Sequence, residues 1–369
     1  MLSFALQNYK KKVEYANFIA YCIEIARRGE YFVAPNPMVG AVLVRNSDGA
    51  ILAEGWHERY GEAHAEVNCF RNLESSKYQD ADLSQCTLFV SLEPCSHYGK
   101  TPPCAKLIIE KGVGRVVVGM MDPNPLVAGK GIAMLREAGI EVVVGVMEQA
   151  CCELNKRFLC LHEKHRPYVV LKWAQTADGF VDKIREIPVT GNPSPITDCH
   201  LNGALTISTP ETKKLVHRMR AENMAIMVGT RTVLLDNPRL LNTHWQGRNP
   251  IRVTIDRHGV IPPDARILSD ENGVIEPNGG GESETIVYRD RTDWPFILAD
   301  LAQRNIHSIL VEGGPTLLNH ILETGIWDEI QVEVNPNLQI GQGVPAPHIS
   351  LPDTFEEVDG NRLYKIVKS

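Results

Sequence analysis

Between His64 and Cys104 the chain carries one imidazole and two thiols whose spacing limits what can surround them. His64-Ala65-Glu66 is followed by Glu93-Pro94-Cys95-Ser96-His97-Tyr98-Gly99-Lys100-Thr101-Pro102-Pro103-Cys104. One histidine and two cysteines supply three ligands of a tetrahedral zinc ion. The fourth position is left to water, whose pKa the metal lowers to roughly 7. Glu66, two residues from the histidine, is a carboxylate that can take the water's proton and hand it to a leaving amine. A purely structural zinc site would want a fourth protein ligand, and His57 or His97 are the nearby sources.

His-x-Glu, then Pro-Cys and a second Cys, is the layout of zinc-dependent base deaminases, with one departure. That pattern has two residues between the cysteines, whereas eight separate Cys95 from Cys104.

The flanking residues place these groups on elements. Apolar residues at Tyr15, Phe18, Ile19, Cys22, Ile23 and Ala26 have the spacing of an amphipathic helix, and Lys10-Lys11-Lys12 reads as its solvated start. Pro35-Asn36-Pro37 is a constrained turn into a strand at Ala41 to Val44, and Asn46-Ser47-Asp48-Gly49 turns it into a second strand at Ile51 to Glu54. Ala63 to Leu73 reads as a helix with His64 and Glu66 in its first turn. A buried strand at Thr87 to Ser91 delivers Cys95, and Pro102-Pro103 presets a helix that begins with Cys104. Strands at Arg115 to Met120 and Glu141 to Val146 flank a helix near Lys130 to Ala138. The alternation predicts a three-layer α/β domain with ligands at strand ends and helix starts. Cys22, Cys69 and Cys86 read as small core residues. Asp122-Pro123-Asn124-Pro125 fits either a loop that closes the pocket or a tight turn.

Cys151 to Glu163 reads as helical and His162 to Pro167 as a linker, so the expected domains are residues 1–164 and 165–369. The second half repeats the α/β alternation: strands at Tyr168 to Trp173, Ala225 to Val228, Ile251 to Ile255, Thr285 to Tyr288, Ser308 to Glu312 and Glu329 to Val334. Helices are expected near Pro210 to Glu222, Phe296 to Asn305 and Thr316 to Thr324. Gly191 to Gly203 and Asp270 to Glu284 have loop composition.

With 369 residues, 43% hydrophobic and 22% charged, the chain is an ordinary globular protein of two domains. A net charge of -7 without a long basic run argues against nucleic acid as the main partner. Nine scattered cysteines do not form a secreted disulfide framework, and no stretch approaches a membrane span. A reduced, cytoplasmic setting suits thiolates kept for zinc.

Taken together, Pro35-Asn36-Pro37, His64-Ala65-Glu66 and Pro94-Cys95-x-His97-x-Gly99-x-Thr101-Pro102-Pro103-Cys104 resemble the bifunctional deaminase/reductase family of riboflavin biosynthesis, in which the eight-residue gap is the expected form. The likeness continues through Lys172-Trp173-Ala174-Gln175-Thr176-Ala177-Asp178-Gly179, Val228-Gly229-Thr230-Arg231-Thr232-Val233-Leu234-Leu235-Asp236-Asn237-Pro238 and Val311-Glu312-Gly313-Gly314-Pro315-Thr316. The resemblance implies a cytidine-deaminase-like first domain and a second domain similar to dihydrofolate reductase. It implies zinc-dependent deamination of 2,5-diamino-6-(5-phosphoribosylamino)pyrimidin-4-one, then NADPH-dependent reduction of the ribosyl to a ribityl chain.

The resemblance assigns His64, Cys95 and Cys104 to zinc and Glu66 to proton transfer. It gives Asn36, His57, His97 and Lys100 to the deaminase substrate, and Arg220, Leu240 and Glu312 to the reductase substrate. It gives Ala174, Thr232, Asp236, Gly313, Gly314, Pro315 and Thr316 to NADPH, and implies a homodimer or higher homo-oligomer. Asp178 corresponds to a strand-end acid, or is simply part of a turn. Two departures stand out. Leu240-Leu241-Asn242-Thr243 lacks the family's phosphate-holding Arg, and Pro188 to Ser208 is longer than the family's stretch. Competing readings are a deaminase with a weakened reductase domain, a free nucleotide or tRNA deaminase, and a zinc-stabilised binding protein.

Overall fold

A computed structural model describes residues 2–97, 102–124, 128–186, 203–268 and 285–368; for residues 2–12 it describes the backbone only. The chain divides into two compact units, Met1–Lys164 and His165–Ser369.

The first unit opens with α1 (Leu2–Ala26), so Lys10 to Lys12 lie inside this helix and not at its start. A hairpin of β1 (Gly40–Arg45) and β2 (Ile51–Trp56) leads to α2 (Ala65–Glu74). Then follow β3 (Cys86–Leu92), α3 (Cys104–Lys111), β4 (Arg115–Met120), α4 (Lys130–Glu137) and β5 (Glu141–Val144). The sheet order is β2-β1-β3-β4-β5, antiparallel on the hairpin side and parallel from β3 to β5. Alternate strand residues serve opposite faces, as the two-residue period of a strand dictates. Leu43, Leu88, Val90 and Val116 pack with Phe70 of α2 and Ile108 of α3, whereas Val42, Val44, Phe89 and Val117 pack with Ile19 and Ile25 of α1. Cys22, Cys69 and Cys86 are buried among them. The helical tail is two helices, α5 (Glu148–Leu154) and α6 (Lys156–Lys164). Asn155 between them is pulled out of line by a reciprocal pair: Met38 N–H donates to its Oδ1 at 2.8 Å and its Nδ2 donates to the Met38 carbonyl at 3.0 Å. The expected linker therefore starts later, since helix continues to Lys164.

The second unit contains β6 (Tyr168–Thr176), β7 (Phe180–Asp182), α7 (Pro210–Glu222), β8 (Ala225–Val228), α8 (Thr230–Asp236), β9 (Ile251–Ile255) and β10 (Thr285–Tyr288). It continues with α9 (Trp294–Gln303), β11 (Ser308–Val311), α10 (Pro315–Thr324), β12 (Glu329–Asn335), β13 (Val344–Pro345), β14 (Glu356–Val358) and β15 (Asn361–Val367). Its main sheet runs β10-β9-β8-β11-β6-β12-β15-β14, parallel as far as β12. The final hairpin is antiparallel and was not anticipated, although Asp359-Gly360 with both φ values positive (51° and 82°) is a strong turn signal. Trp294, Ile297 and Leu301 of α9 and Leu318 and Ile321 of α10 form the core with Leu171, Trp173, Met227 and Ile309 of the strands. The expected loops at Gly191 to Gly203 and Asp270 to Glu284 fall almost wholly outside the described residues.

Candidate active sites

In the first unit, β3 ends immediately before the Glu93-Pro94-Cys95 segment, and α2 and α3 present their N-termini to it. His64 is the N-cap of α2, with extended φ/ψ of -72° and 165°, one position earlier than a first-turn residue. Glu66 follows in the first turn and is 3% exposed. Cys104 opens α3 behind Pro103. His64 Nδ1 lies 3.6 Å from Cys95 Sγ and 3.4 Å from Cys104 Sγ. The three ligand atoms lie within 4.8 Å of one another. Zinc bonds of about 2.1 Å to nitrogen and 2.3 Å to sulfur at tetrahedral angles require N···S separations of about 3.6 Å. The donor set fits that ion.

The electrostatics suit it as well. The hydrogen bond with Cys104 draws the Cys95 thiol down to about 4, with burial opposing and His64 assisting. The same bond and burial push Cys104 up. Burial raises the Glu66 carboxyl, and Cys95 adds to the rise. A carboxyl raised in this way holds a proton more readily than a free one, the direction a proton shuttle needs.

His57 follows β2. Its Nδ1 is 3.0 Å from the Ala63 carbonyl and its Nε2 is 3.0 Å from Asn36 Nδ2. Nδ1–H must donate to the carbonyl, which leaves Nε2 to accept from the amide of Asn36. Burial lowers the His57 pKa and keeps this neutral form. With both nitrogens engaged, His57 does not supply a fourth ligand. His97 is exposed. Among the described residues, His64, Cys95 and Cys104 are the one group of ligand-type side chains close enough to share an ion. Lys100 lies outside the described residues.

The second unit encloses a cavity of about 1000 Å³. Ala174, Thr232, Asp236 and Glu312 line it, and so do Gly313, Gly314, Pro315 and Thr316. Gly229 and Gly314 are the N-caps of α8 and α10. The Thr232 and Leu317 N–H groups already close on the Gly229 and Gly314 carbonyls, and Pro315 has no N–H. The N–H groups ahead of the helical ladder are therefore those of Thr230, Arg231 and Thr316. A Cβ on Gly313 would approach Leu317 Cδ2 to 2.9 Å, and one on Gly314 would lie 3.6 Å from Thr232 Oγ1. The bare backbone between two helix starts fits a pyrophosphate.

Arg220 is not among the lining residues, yet it reaches the cavity through Glu312. Its Nε and Nη2 donate to the two carboxylate oxygens at 3.3 and 2.8 Å. Burial pushes Glu312 up, but the guanidinium outweighs it and holds the carboxyl below the usual range. Leu240 is buried, with a left-handed φ of 58°, and does not line the cavity. Thr243 is exposed, and its N–H donates to His217 Nδ1 at 3.1 Å. Asp178 accepts from Thr176 Oγ1 at 2.6 Å and from the Ile340 and Gly341 N–H groups, so it braces a loop.

Among the lining residues that sequence reasoning missed are the charged Lys172 and Arg185. Lys172 had a signal: it stands two positions before Ala174 on β6 and therefore on the same face. Arg185 bonds Asp182 and, at 2.7 Å, Asp236; nothing in the local sequence pairs it with a residue 51 positions away.

The fold and site define a zinc-site deaminase domain joined to a second α/β domain that holds a nucleotide-sized cavity. Residues 12–120 match the cytidine and deoxycytidylate deaminase zinc-binding region, and residues 167–348 match the RibD C-terminal domain. The riboflavin biosynthesis protein RibD of Aquifex aeolicus is 36% identical over 93% of this chain and 92% of its own. That of Bacillus amyloliquefaciens is 38% identical over 91% and 88%. A diaminohydroxyphosphoribosylaminopyrimidine deaminase/5-amino-6-(5-phosphoribosylamino)uracil reductase from Thermotoga maritima, solved as a crystal structure, superposes with a TM-score of 0.80 at 33% identity, covering 97% of this chain and 100% of that one. The chain belongs to the RibD family, the bifunctional deaminase/reductase enzymes of riboflavin biosynthesis.

Proposed function

We propose that the first unit hydrolyses the 2-amino group of 2,5-diamino-6-(5-phosphoribosylamino)pyrimidin-4-one and that the second reduces the ribosyl group of the product with NADPH. The observation that carries the reading is the buried Glu66 beside the His64–Cys95–Cys104 triad. Zinc held by these three residues would supply a water of lowered pKa. Glu66 would carry one proton of that water to the ring nitrogen as the water oxygen adds to C2. It would then carry the second proton, from the resulting C2 hydroxyl, to the amino group, so that C2=O forms, the C–N bond breaks and ammonia leaves. The neutral His57, locked to Ala63, fixes Asn36, whose remaining amide N–H and oxygen face the base. His97 and Lys100 hold the phosphorylated side of the substrate.

In the second unit Ala174, Thr232, Asp236 and Gly313 to Thr316 would hold NADPH, which would supply hydride to the opened ribose. Glu312, with Arg220 behind it, contributes to the substrate side, whereas Leu240, buried away from the cavity, is not kept as a substrate contact. The bidentate Arg220–Glu312 pair favours a working reductase over a decayed one. Cytoplasmic residence is part of the proposal and rests on the thiolate ligands. Among the described residues no helix is long and apolar enough to cross a membrane. Assembly as a homodimer or higher homo-oligomer rests on the family resemblance. Glu66→Ala tests the reading: it abolishes ammonia release while zinc stays bound, and surviving deamination removes Glu66 from the mechanism.

A further inference from the structure

We propose that Glu93 is a positioning residue of the deaminase site, tying the loop that begins at Asp122 and the start of α4 to the strand end that carries Cys95. The proposal rests on the deaminase reading of this site. Glu93 is 3% exposed and stands two residues before Cys95. Its Oε2 accepts from the N–H of Asp122 at 3.3 Å and of Gly129 at 2.9 Å. Its Oε1 accepts from Gly131 at 3.0 Å and Ile132 at 3.3 Å, and its own N–H donates to the Met120 carbonyl at 2.9 Å. Asp122 stands near the start and Gly129 at the end of the segment between β4 and α4, and one oxygen holds both N–H groups. Gly131 and Ile132 are the second and third residues of α4, and Oε1 therefore does for this helix what an N-cap side chain does elsewhere. The N-cap itself is Gly129, which has no side chain to offer. A carboxylate also suits the positive end of the helix.

The approach is close enough to demand glycine at position 131. A Cβ there would lie 2.0 Å from the Pro94 carbonyl oxygen, between Glu93 and Cys95. The helix start is seated on the ligand-bearing segment itself. What the loop presents to the site is Asp122, oriented by the Asn124 N–H, which donates to its Oδ1 at 2.8 Å. Asp122 is half-buried and stands two residues past Met120, whose carbonyl holds the Glu93 N–H, and so beside the segment that carries Cys95. There a carboxylate can accept from the amino groups of a bound base. Glu93 touches neither metal nor substrate and acts through this loop.

The test uses the full zinc-loaded chain and compares the wild type with Glu93→Gln, Gly131→Ala, Asp122→Asn and the double variant Glu93→Gln/Asp122→Asn. Deamination kinetics and zinc per chain are measured together. Gln has the shape of Glu, but its NH₂ faces N–H donors that need an acceptor. The expected result is zinc retained and kcat/KM lowered roughly 10- to 100-fold in Glu93→Gln and Gly131→Ala, mostly through KM. The double variant falls no further than Asp122→Asn alone, because both changes act at one place. Unchanged kcat/KM in Glu93→Gln, or losses that multiply in the double variant, overturns the proposal. Loss of zinc from both Glu93→Gln and Gly131→Ala also overturns it, since the residue would then serve the metal ligands. If Glu93→Gln alone fails to fold, Gly131→Ala decides: full activity with zinc bound is contrary to the proposal. An inactive wild type sinks the deaminase reading beneath it, whereas an active wild type with unaffected variants sinks only the role of Glu93.

Discussion

Arg220 grips Glu312 with two guanidinium nitrogens while its third, Nη1, donates to the Leu241 carbonyl at 3.0 Å. Both side chains are nearly buried, at 16% and 14% exposure. α7, the end of β11 and the segment after α8 thus meet at one guanidinium beside the cavity. Removing one member of such a pair leaves an uncompensated charge, which costs about 3–5 kcal/mol. Glu312→Ala should lower the stability of the second unit by about that amount and abolish NADPH oxidation, while ammonia release continues. Thermal unfolding and the two activity assays check this; normal NADPH turnover would remove Glu312 from the reductase site.

The pyrophosphate cradle predicts a separable defect. Gly313→Val places carbon where Leu317 already sits. NADPH binding, followed by nucleotide fluorescence, should weaken at least tenfold (about 1.4 kcal/mol or more), with deamination unchanged. Wild-type affinity in this variant would place the nucleotide elsewhere in the cavity.

Chelation should separate the two halves. Stripping zinc with a strong chelator is expected to stop ammonia release and leave reduction of the deaminated substrate intact, because the second unit uses none of His64, Cys95 and Cys104. Loss of both activities on chelation, with neither restored by zinc, is the contrary outcome.

His217 supplies a pH dependence. Burial, with Arg220 and His244 adding to it, lowers its pKa to about 4, against an ordinary 6.5. Its Nδ1 also accepts the Thr243 N–H, a bond that protonation would destroy. A depressed folded-state pKa means that the unfolded chain binds more protons between these values, so stability rises with pH there. The contribution is complete above about 6.5 and is lost as pH falls toward 4. Unfolding midpoints of the second unit should fall across that window, and His217→Gln should flatten the fall. Parallel curves for the two proteins would exclude His217 as the source.

What could be read from the sequence was local. His64, Glu66, Cys95 and Cys104 declare themselves because capping position, strand end and proline-led helix start are set by neighbours in the chain. The three-layer first domain follows from strand and helix periods, and so do the parallel strands of the second. The four N–H groups on Glu93 come from 29 to 39 positions away, and no spacing rule gathers them. The same is true of Arg185 and Asp236. The seven-residue α8 is too short to show a period, although Asn237 with φ of 39° is the kind of residue that ends a helix. Asn155, where the helical pattern breaks, is bonded twice to Met38, 117 residues distant, a pairing no local pattern shows.

The most direct test of two working domains is a product assay on zinc-loaded protein. The substrate is 2,5-diamino-6-(5-phosphoribosylamino)pyrimidin-4-one, with and without NADPH, and ammonia and NADPH are followed together. Ammonia in both reactions, with NADPH consumed only after deamination and in equal amount, is the predicted result. Ammonia without NADPH oxidation at saturating cofactor would contradict the reductase assignment, and no ammonia in either reaction would contradict the account at its centre.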